Sequence, residues 1–413
     1  MTRVAIAGGG FAGLRTALTL SRLVRGRDDV RITLIDRECY HLYHALLYEV
    51  ATADFLLETV ASPISEGVCI PLKAFPHLLR ATNIDFQQDD ILSIDAAQRQ
   101  LKLRYGGTMT TDALVLALGS VPSDFGVPGV DQFARKLQTL DDALAIRNHI
   151  KRLFSLCSRY GCPTRRIVIC GGGFTGVELA GELLHFLRRL ARLHALEFEK
   201  VQLVILDAGP QLFAGLDPEL GRRAYQRLSD LGADIRLNQR VSKVTADGVV
   251  INGQLLSSDL TVWAAGVKAN PVQAKAKGLT LDPKGRVIVD QTLQAKGAPG
   301  VFVIGDGACF TPARGKPLPG TAAIAIQEGD HVAKIIAGQL KGQKPQPFKP
   351  DFPGFVVPIG GKFALSTMHG VRGGFWAWVD RKKVDFQYFH SILPFWRALD
   401  VWLRGARLYL KND

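Results

Sequence analysis

Gly8-Gly9-Gly10-Phe11-Ala12-Gly13 is the stretch that decides the fold, because it recurs as Gly171-Gly172-Gly173-Phe174-Thr175-Gly176. Each copy follows a short apolar run, Val4-Ala5-Ile6-Ala7 or Ile167-Val168-Ile169-Cys170, which reads as a buried strand. Each opens a segment with helical apolar spacing: Leu14, Ala17 and Leu18 in one, Leu179, Ala180, Leu183 and Leu184 in the other. Glycines at this spacing allow a tight turn, close backbone approach to a pyrophosphate and close helix–strand contact. The helix N-terminus adds unpaired N–H groups and positive potential. A further strand ending in an acid follows each copy, Ile32-Thr33-Leu34-Ile35-Asp36 and Val204-Ile205-Leu206-Asp207, and such a carboxylate bonds an adenosine ribose. Two complete copies predict two bound dinucleotides. Side by side, they imply electron transfer.

The duplication reaches further. Leu114-Val115-Leu116-Ala117-Leu118-Gly119 and Leu260-Thr261-Val262-Trp263-Ala264-Ala265-Gly266 each read as a strand delivering the chain to a glycine bend between domains. The expected fold is α/β, with two Rossmann-like domains, the second inserted in the first, and a small C-terminal unit. The first domain is expected over 1–118 and 290–340, the second with its crossovers over 119–289, and the C-terminal unit over 351–413. Lys341 to Pro350, rich in proline and lysine, reads as a linker. Short strands are expected around Gly360-Gly361, and a helix from Pro394.

Within the first domain, Gly300-Val301-Phe302-Val303-Ile304-Gly305-Asp306 reads as a strand ending in Gly-Asp. Its functional reading places the Asp306 carboxylate on a flavin ribityl hydroxyl; the alternative is an ordinary strand-end turn. A helix is expected from Thr321 to Gln339, with Thr321 as its cap and Ala322 at its head.

The 413 residues suffice for two or three domains, and 47% hydrophobic with 22% charged residues is a globular composition. No run approaches the roughly 20 apolar residues of a membrane span. The first strand starts by Val4, leaving no room for a leader. The net charge of +13 suits anionic partners, but no nucleic-acid motif or arginine-rich tract accompanies it. The six cysteines include no C-x-x-C pair and no zinc spacing, which argues against a disulfide reductase and a metal site. Cys157 and Cys162 are close enough in sequence to pair; the reading adopted is ordinary thiols.

These motifs resemble the two-dinucleotide-binding-domain flavoproteins, and most closely the type II NADH dehydrogenases, single-subunit NADH:quinone oxidoreductases that pump no protons. The resemblance covers nearly the whole chain. It includes Tyr40-His41-Leu42-Tyr43-His44-Ala45-Leu46-Leu47-Tyr48-Glu49-Val50-Ala51-Thr52, similar to the family's flavin-flanking loop with Ala45 where proline is usual. The resemblance implies non-covalent FAD held by Gly8, Gly10, Phe11, Ala12, Gly13, Asp36, Arg37, Gly119, Gly305, Asp306 and Ala322. It implies NADH held by Gly171, Gly173, Phe174, Thr175, Gly176, Asp207 and Gly266. Glu178 matches a glutamate that faces nicotinamide and flavin and is implicated in proton supply; a helix-dipole acid is the other reading. Gln327 matches the second of two quinone-site glutamines, and Ala323 replaces the first. Competing activities are a soluble reductase of a protein carrier such as ferredoxin, and a non-catalytic redox sensor.

The tail from Pro394 is amphipathic. Phe395, Trp396, Leu399, Trp402, Leu403, Ala406 and Leu410 share one side, with Asp400, Arg404, Arg407 and Lys411 on another. Arg381-Lys382-Lys383 adds an expected basic patch. Apolar tryptophans beside basic residues are the pattern of a helix lying in a membrane interface. The expected location is the cytoplasmic face of a prokaryotic inner membrane, where the acceptor is lipid-soluble. Packing on its own domain, or on a second copy in a homodimer, is the alternative.

Overall fold

Strand β1 (Thr2–Ala7) lies at the centre of a five-stranded sheet, and Ala5, Ile6 and Ala7 are wholly buried. On one side it pairs with β2 (Val30–Asp36), which pairs with Ile84–Gln88; on the other it pairs with Ala113–Leu116, which pairs with Val301–Val303. All four pairings are parallel, so both faces must be covered, and Ala113–Leu116 and Val301–Val303 are continuous apolar runs, buried throughout. Helix α1 (Phe11–Leu23) connects β1 to β2. Ile84–Gln88 extends the sheet beyond β2, and the strand that follows it in this sheet, Ala113–Leu116, lies on the other side of β1. That reversal makes the carboxyl end of β1 a topological switch point, the crevice where such sheets bind ligands.

The second copy repeats this arrangement. Strand β3 (Arg165–Cys170) pairs in parallel with β4 (Val201–Leu206) and with Leu260–Trp263, and helix α3 (Phe174–Leu193) connects β3 to β4. A three-stranded antiparallel meander accompanies each sheet, Ile91–Asp95 with Gln100–Leu103 and Thr108–Thr110, and Val241–Thr245 with Gly248–Ile251 and Gln254–Ser257. The two crossover segments pair with each other, Ser120–Pro122 antiparallel to Val267–Ala269. The flavin-flanking segment continues from a short strand, Tyr40–Leu42, into helix α2 (Leu47–Thr52). The computed structural model describes residues 1–53, 67–75, 83–160, 164–312, 315, 317–368 and 370–412.

Helix α4 (Ala322–Gln339) starts as expected, with the Thr321 hydroxyl accepting from the Ile324 amide. It packs along α1, where a Cβ at Gly329 would press on the Ala12 carbonyl oxygen. The Lys341–Pro350 stretch is less free than a linker: Phe348 is buried, and its amide donates to the Gln291 carbonyl at 2.7 Å. The expected hairpin forms from Val356–Pro358 and Ala364–Ser366, and a third strand, Arg372–Gly374, extends it.

Two helices close the chain, α5 (Phe375–Ile392) and α6 (Phe395–Asn412). Sequence reading missed α5, because its apolar residues form no single stripe. The structure explains the pattern. Arg381 and Lys382, expected as a surface patch, are only 8% and 7% exposed, whereas Trp376 is 73% exposed. Helix α6 packs on its own domain by one face and leaves apolar side chains exposed on another. Ala398, Val401 and Gly405 are buried, and the Trp402 indole donates to the Lys382 carbonyl; Phe395, Trp396 and Leu403 face outward. The side chains of Arg407, Leu410 and Lys411 lie outside the described residues. Among the described residues no helix is long and apolar enough to cross a membrane.

One cysteine reading needs correcting. Cys157 is disulfide-bonded, whereas Cys39, Cys69, Cys170 and Cys309 are free; Cys162 lies outside the described residues.

Candidate active site

The glycines divide the work in each loop. A Cβ at Gly13 would overlap the Gly8 carbonyl oxygen, and one at Gly176 would overlap that of Gly171. These two let helix and strand touch. At Gly10 and Gly173, by contrast, a Cβ meets no heavy atom within 4 Å. Both are the N-caps of their helices, and no side chain caps either one. Open space before an uncapped helix N-terminus suits a phosphate. Each loop therefore fits the pyrophosphate of a dinucleotide.

The two acids do more than the sequence suggested. Asp36 accepts from the Gly9 and Glu38 amides, and Asp207 accepts from the Gly172 amide at 2.6 Å and the Gly209 amide at 2.6 Å. Each carboxylate is a strut shaping its own loop. Burial pushes the Asp36 carboxyl above its ordinary pKa, opposed by the Gly9 and Glu38 amides. Arg37, next to it, is largely exposed and lies 3.5 Å from Glu38.

Phe11 packs edge-on against His41 and Tyr388, with ring centroids 5.3 Å and 5.1 Å away. Phe174 packs against Phe213 and Phe355, both at 5.2 Å. Asp306 accepts from the Ser120 hydroxyl at 2.6 Å, and a side chain on Gly320 would press on its carboxylate. The crossover thereby steadies the acid expected to hold the ribityl chain. Gly305 is held from behind, its amide donating at 2.6 Å to Glu328, whose buried carboxyl rises to about 8. Gly119 and Gly266 both adopt left-handed φ at the crossover bends, and the Phe125 ring lies over Gly266.

His44 is solvent-accessible, yet the surrounding protein desolvates it and lowers its pKa, with Asp306 and Asp36 pulling the other way.

Three buried contacts join the flavin-flanking segment to α5. The Tyr388 hydroxyl lies 2.6 Å from His41 Nε2, the Tyr43 hydroxyl donates to Asp385 Oδ1 at 2.6 Å, and Arg381 donates to the Ala45 carbonyl at 2.7 Å. Alternate residues 41, 43 and 45 thus meet residues 388, 385 and 381, which recur along one face of a helix. Arg381 also donates to Asp385 at 2.9 Å, a pair with both side chains buried. Removing one partner from such a pair costs about 3–5 kcal/mol. The rigidity that a proline would give at Ala45 is supplied here by the Arg381 guanidinium.

Arg381 reaches the second dinucleotide domain as well, with Nη1 3.7 Å from Glu178 Oε1. Glu178 lies in the first turns of α3 and is 15% exposed. Desolvation pushes its carboxyl up to about 7, with Arg381 opposing and Asp385 and Glu49 adding. Nearby on α2, the buried Tyr48 hydroxyl has no hydrogen-bond partner among the described residues. A half-protonated carboxyl and an unpaired donor stand together where the two domains meet. Glu182, one turn on from Glu178, is buried rather than solvated.

Gln327 is also engaged within the protein. Its amide donates to the Asp351 carbonyl at 2.9 Å and accepts from the Asp351 amide at 2.8 Å, so it straps the chain leading into the C-terminal unit. Ala322 is exposed and Ala323 half-buried at the open end of α4. Sequence reasoning missed His41, Tyr388, Asp385, Arg381, Ser120 and Glu328. The signal for the α5 residues was the helical spacing of 381, 385 and 388, concealed by the Arg381-Lys382-Lys383 run.

Residues 2–329 match the profile of the pyridine nucleotide-disulphide oxidoreductase family. The chain is 32% identical over 399 residues to the type II NADH:quinone oxidoreductase Ndh of Mycobacterium tuberculosis, covering 91% of this chain and 82% of that one. It is 28% identical over 380 residues to the type II NADH:quinone oxidoreductase of Staphylococcus haemolyticus, covering 89% and 90%. The structure of NDH2 from Plasmodium falciparum in complex with NADH superposes with a TM-score of 0.84 over 98% of both chains, at 16% identity, a likeness of fold. The chain belongs to the pyridine nucleotide-disulphide oxidoreductase family, and within it to the type II NADH:quinone oxidoreductases.

Proposed function

We propose that this chain transfers electrons from NADH to a membrane quinone through non-covalent FAD, with FAD in the first glycine loop and NADH in the second. One observation carries the reading: a single buried guanidinium, Arg381, holds both the loop flanking the first site and the carboxyl of Glu178 beside the second. Two dinucleotides in these crevices converge there. FAD, when bound, would supply hydride acceptance from NADH and two-electron delivery to quinone, which takes one further proton, chemistry that needs no protein nucleophile. The chain's own residues orient and supply protons. The uncapped ends of α1 and α3 face the two pyrophosphates, and Asp306 holds the ribityl chain. Glu178, near half-protonation at neutral pH, holds a proton for the reduced acceptor, and the N-terminus of α4 stabilises negative charge at the flavin. Gln327 touches quinone only through what its two bonds to Asp351 leave unused.

Anaerobic addition of NADH to the purified protein should bleach the flavin, and a menaquinone or ubiquinone analogue should restore its colour. No bleaching, or reoxidation by ferredoxin but by no quinone, would defeat the reading. In the same experiment NADPH should reduce the flavin more slowly. A 2′-phosphate would face the Asp207 carboxylate, and no basic residue follows it through Gln211. Asp207→Ser should narrow the preference. It should also weaken NADH itself, because the carboxylate supports the Gly172 and Gly209 amides; one such charge-assisted bond is worth roughly 1.5–3 kcal/mol.

We assign membrane contact to the outward residues of the two last helices, Phe375, Trp376, Phe395, Trp396 and Leu403, beside Lys383 and Arg397. Trp396 is 77% exposed, and aromatic side chains with basic neighbours suit an anionic interface. The face so defined is expected on the cytoplasmic side, where NADH is available. Because these side chains leave the buried faces of α5 and α6 untouched, Trp376→Ser with Trp396→Ser should lower co-sedimentation with anionic vesicles several-fold and preserve flavin reduction by NADH. Undiminished co-sedimentation would assign the patch to another copy of the chain.

A further inference from the structure

The two glycine loops hold the same carbonyl by different means. In the second, the Gly172 carbonyl accepts from the Phe213 backbone amide at 2.9 Å. In the first, the equivalent Gly9 carbonyl lies 2.9 Å from His41 Nδ1, a side-chain contact. His41 is wholly buried, and desolvation lowers its pKa to about 4, so the ring is neutral at physiological pH. A carbonyl only accepts, which makes Nδ1 the protonated nitrogen. Nε2 is then an acceptor, and the Tyr388 hydroxyl, 2.6 Å away, is its donor. The chain of bonds runs from Tyr388 on α5 to His41, to the Gly9 carbonyl, and on through the Gly9 amide to Asp36.

We propose that His41 is a positioning residue for FAD, locked in its Nδ1–H tautomer by Tyr388, and that it fixes the first glycine loop in its pyrophosphate-binding shape. The second loop, held by its own backbone, needs no such support. Deleting the Tyr388 hydroxyl leaves Nε2 a buried acceptor without a donor. The imidazole can then shift its proton to Nε2 and turn a lone pair on the Gly9 carbonyl. A buried unpaired polar group is costly enough to disturb the loop. Other titratable groups near the ring are His44, on the accessible side, and Asp36, at the far end of the same chain of bonds. The inference rests on the assignment of FAD to the first loop.

The test uses the holoenzyme. FAD release after dilution is followed by recovery of free-flavin fluorescence, and NAD+ binding, a non-reducing probe of the second loop, by calorimetry. Tyr388→Phe and His41→Leu should each speed FAD release about tenfold and leave NAD+ affinity within twofold of wild type. The double variant should release FAD no faster than His41→Leu alone. His41→Gln, whose amide has one donor and one acceptor side, should restore release to within about threefold of wild type. Wild-type release from Tyr388→Phe would overturn the proposal, as would additive effects in the double variant or failure of Gln to rescue. Parallel losses of FAD and NAD+ binding would also overturn it, as a general loss of structure. Weakened NAD+ binding with FAD release unchanged would instead overturn the assignment of flavin to the first loop. Should His41→Leu not fold, Tyr388→Phe against wild type decides alone.

Discussion

Gly10→Val protein should fold and purify colourless. The backbone at Gly10 has φ −71°, which any residue adopts, and its Cβ meets nothing within 4 Å, so valine strains nothing in the protein. The one thing it obstructs is a group occupying the open space before α1. Losing two or more charge-assisted phosphate bonds of roughly 1.5–3 kcal/mol each should weaken FAD by about a hundredfold or more. Asp306→Ala should act in the same direction through the ribityl chain. Gly13→Ala makes a useful contrast, since its Cβ overlaps the Gly8 carbonyl and should damage the fold itself. Flavin absorbance per mole of protein decides: a Gly10→Val enzyme with stoichiometric FAD would remove the first loop from the site.

Glu178→Gln should retain FAD and slow turnover with quinone by on the order of a hundredfold, the lower range for a lost acid–base group. Its pH profile should change as well. With a carboxyl pKa of about 7, the protonated form able to supply a proton declines as pH rises through 7, and wild-type quinone turnover should decline with it. The glutamine variant should lack that inflection. Reduction of the flavin by NADH, measured in a single turnover, should change far less than quinone reduction. A merely dipolar role would alter stability by about 0.3–1 kcal/mol and leave the profile intact. Wild-type turnover in the variant would return Glu178 to that role.

The parts of this molecule that repeat were the parts most legible in the sequence. Glycine at 8, 10 and 13 answers to local geometry, and so does its repetition at 171, 173 and 176; strand, turn and helix follow within a few residues. The Thr321 cap and the strand ending at Gly305-Asp306 were equally local. Contacts across the chain were not legible. Arg381-Lys382-Lys383 looks like a surface charge run because composition does not say which carboxylates will be brought to it. Asp385, Glu49 and Glu178 arrive from three different elements, and only their convergence makes two of those cations interior residues. Gln327 carries a long-range contact that its motif position did not announce. Its position in the motif pointed to a ligand, whereas its amide is engaged by a backbone segment 24 residues further on. His41 was read only as part of its segment, because nothing in Tyr40-His41-Leu42-Tyr43-His44 says that Tyr388 will be placed beside it.

The separation of Tyr388 from the loop it supports bears on how the enzyme is made. Ribosomes release the first glycine loop early, but Val301–Val303 must emerge before its sheet is complete, and Tyr388 comes almost last. The inserted second domain has its sheet and its Gly172 clasp within residues 165–263 and can mature while synthesis continues. On the proposed assignment, flavin capture waits for Val301–Val303 and Tyr388, whereas NADH needs only the fold of residues 165–263.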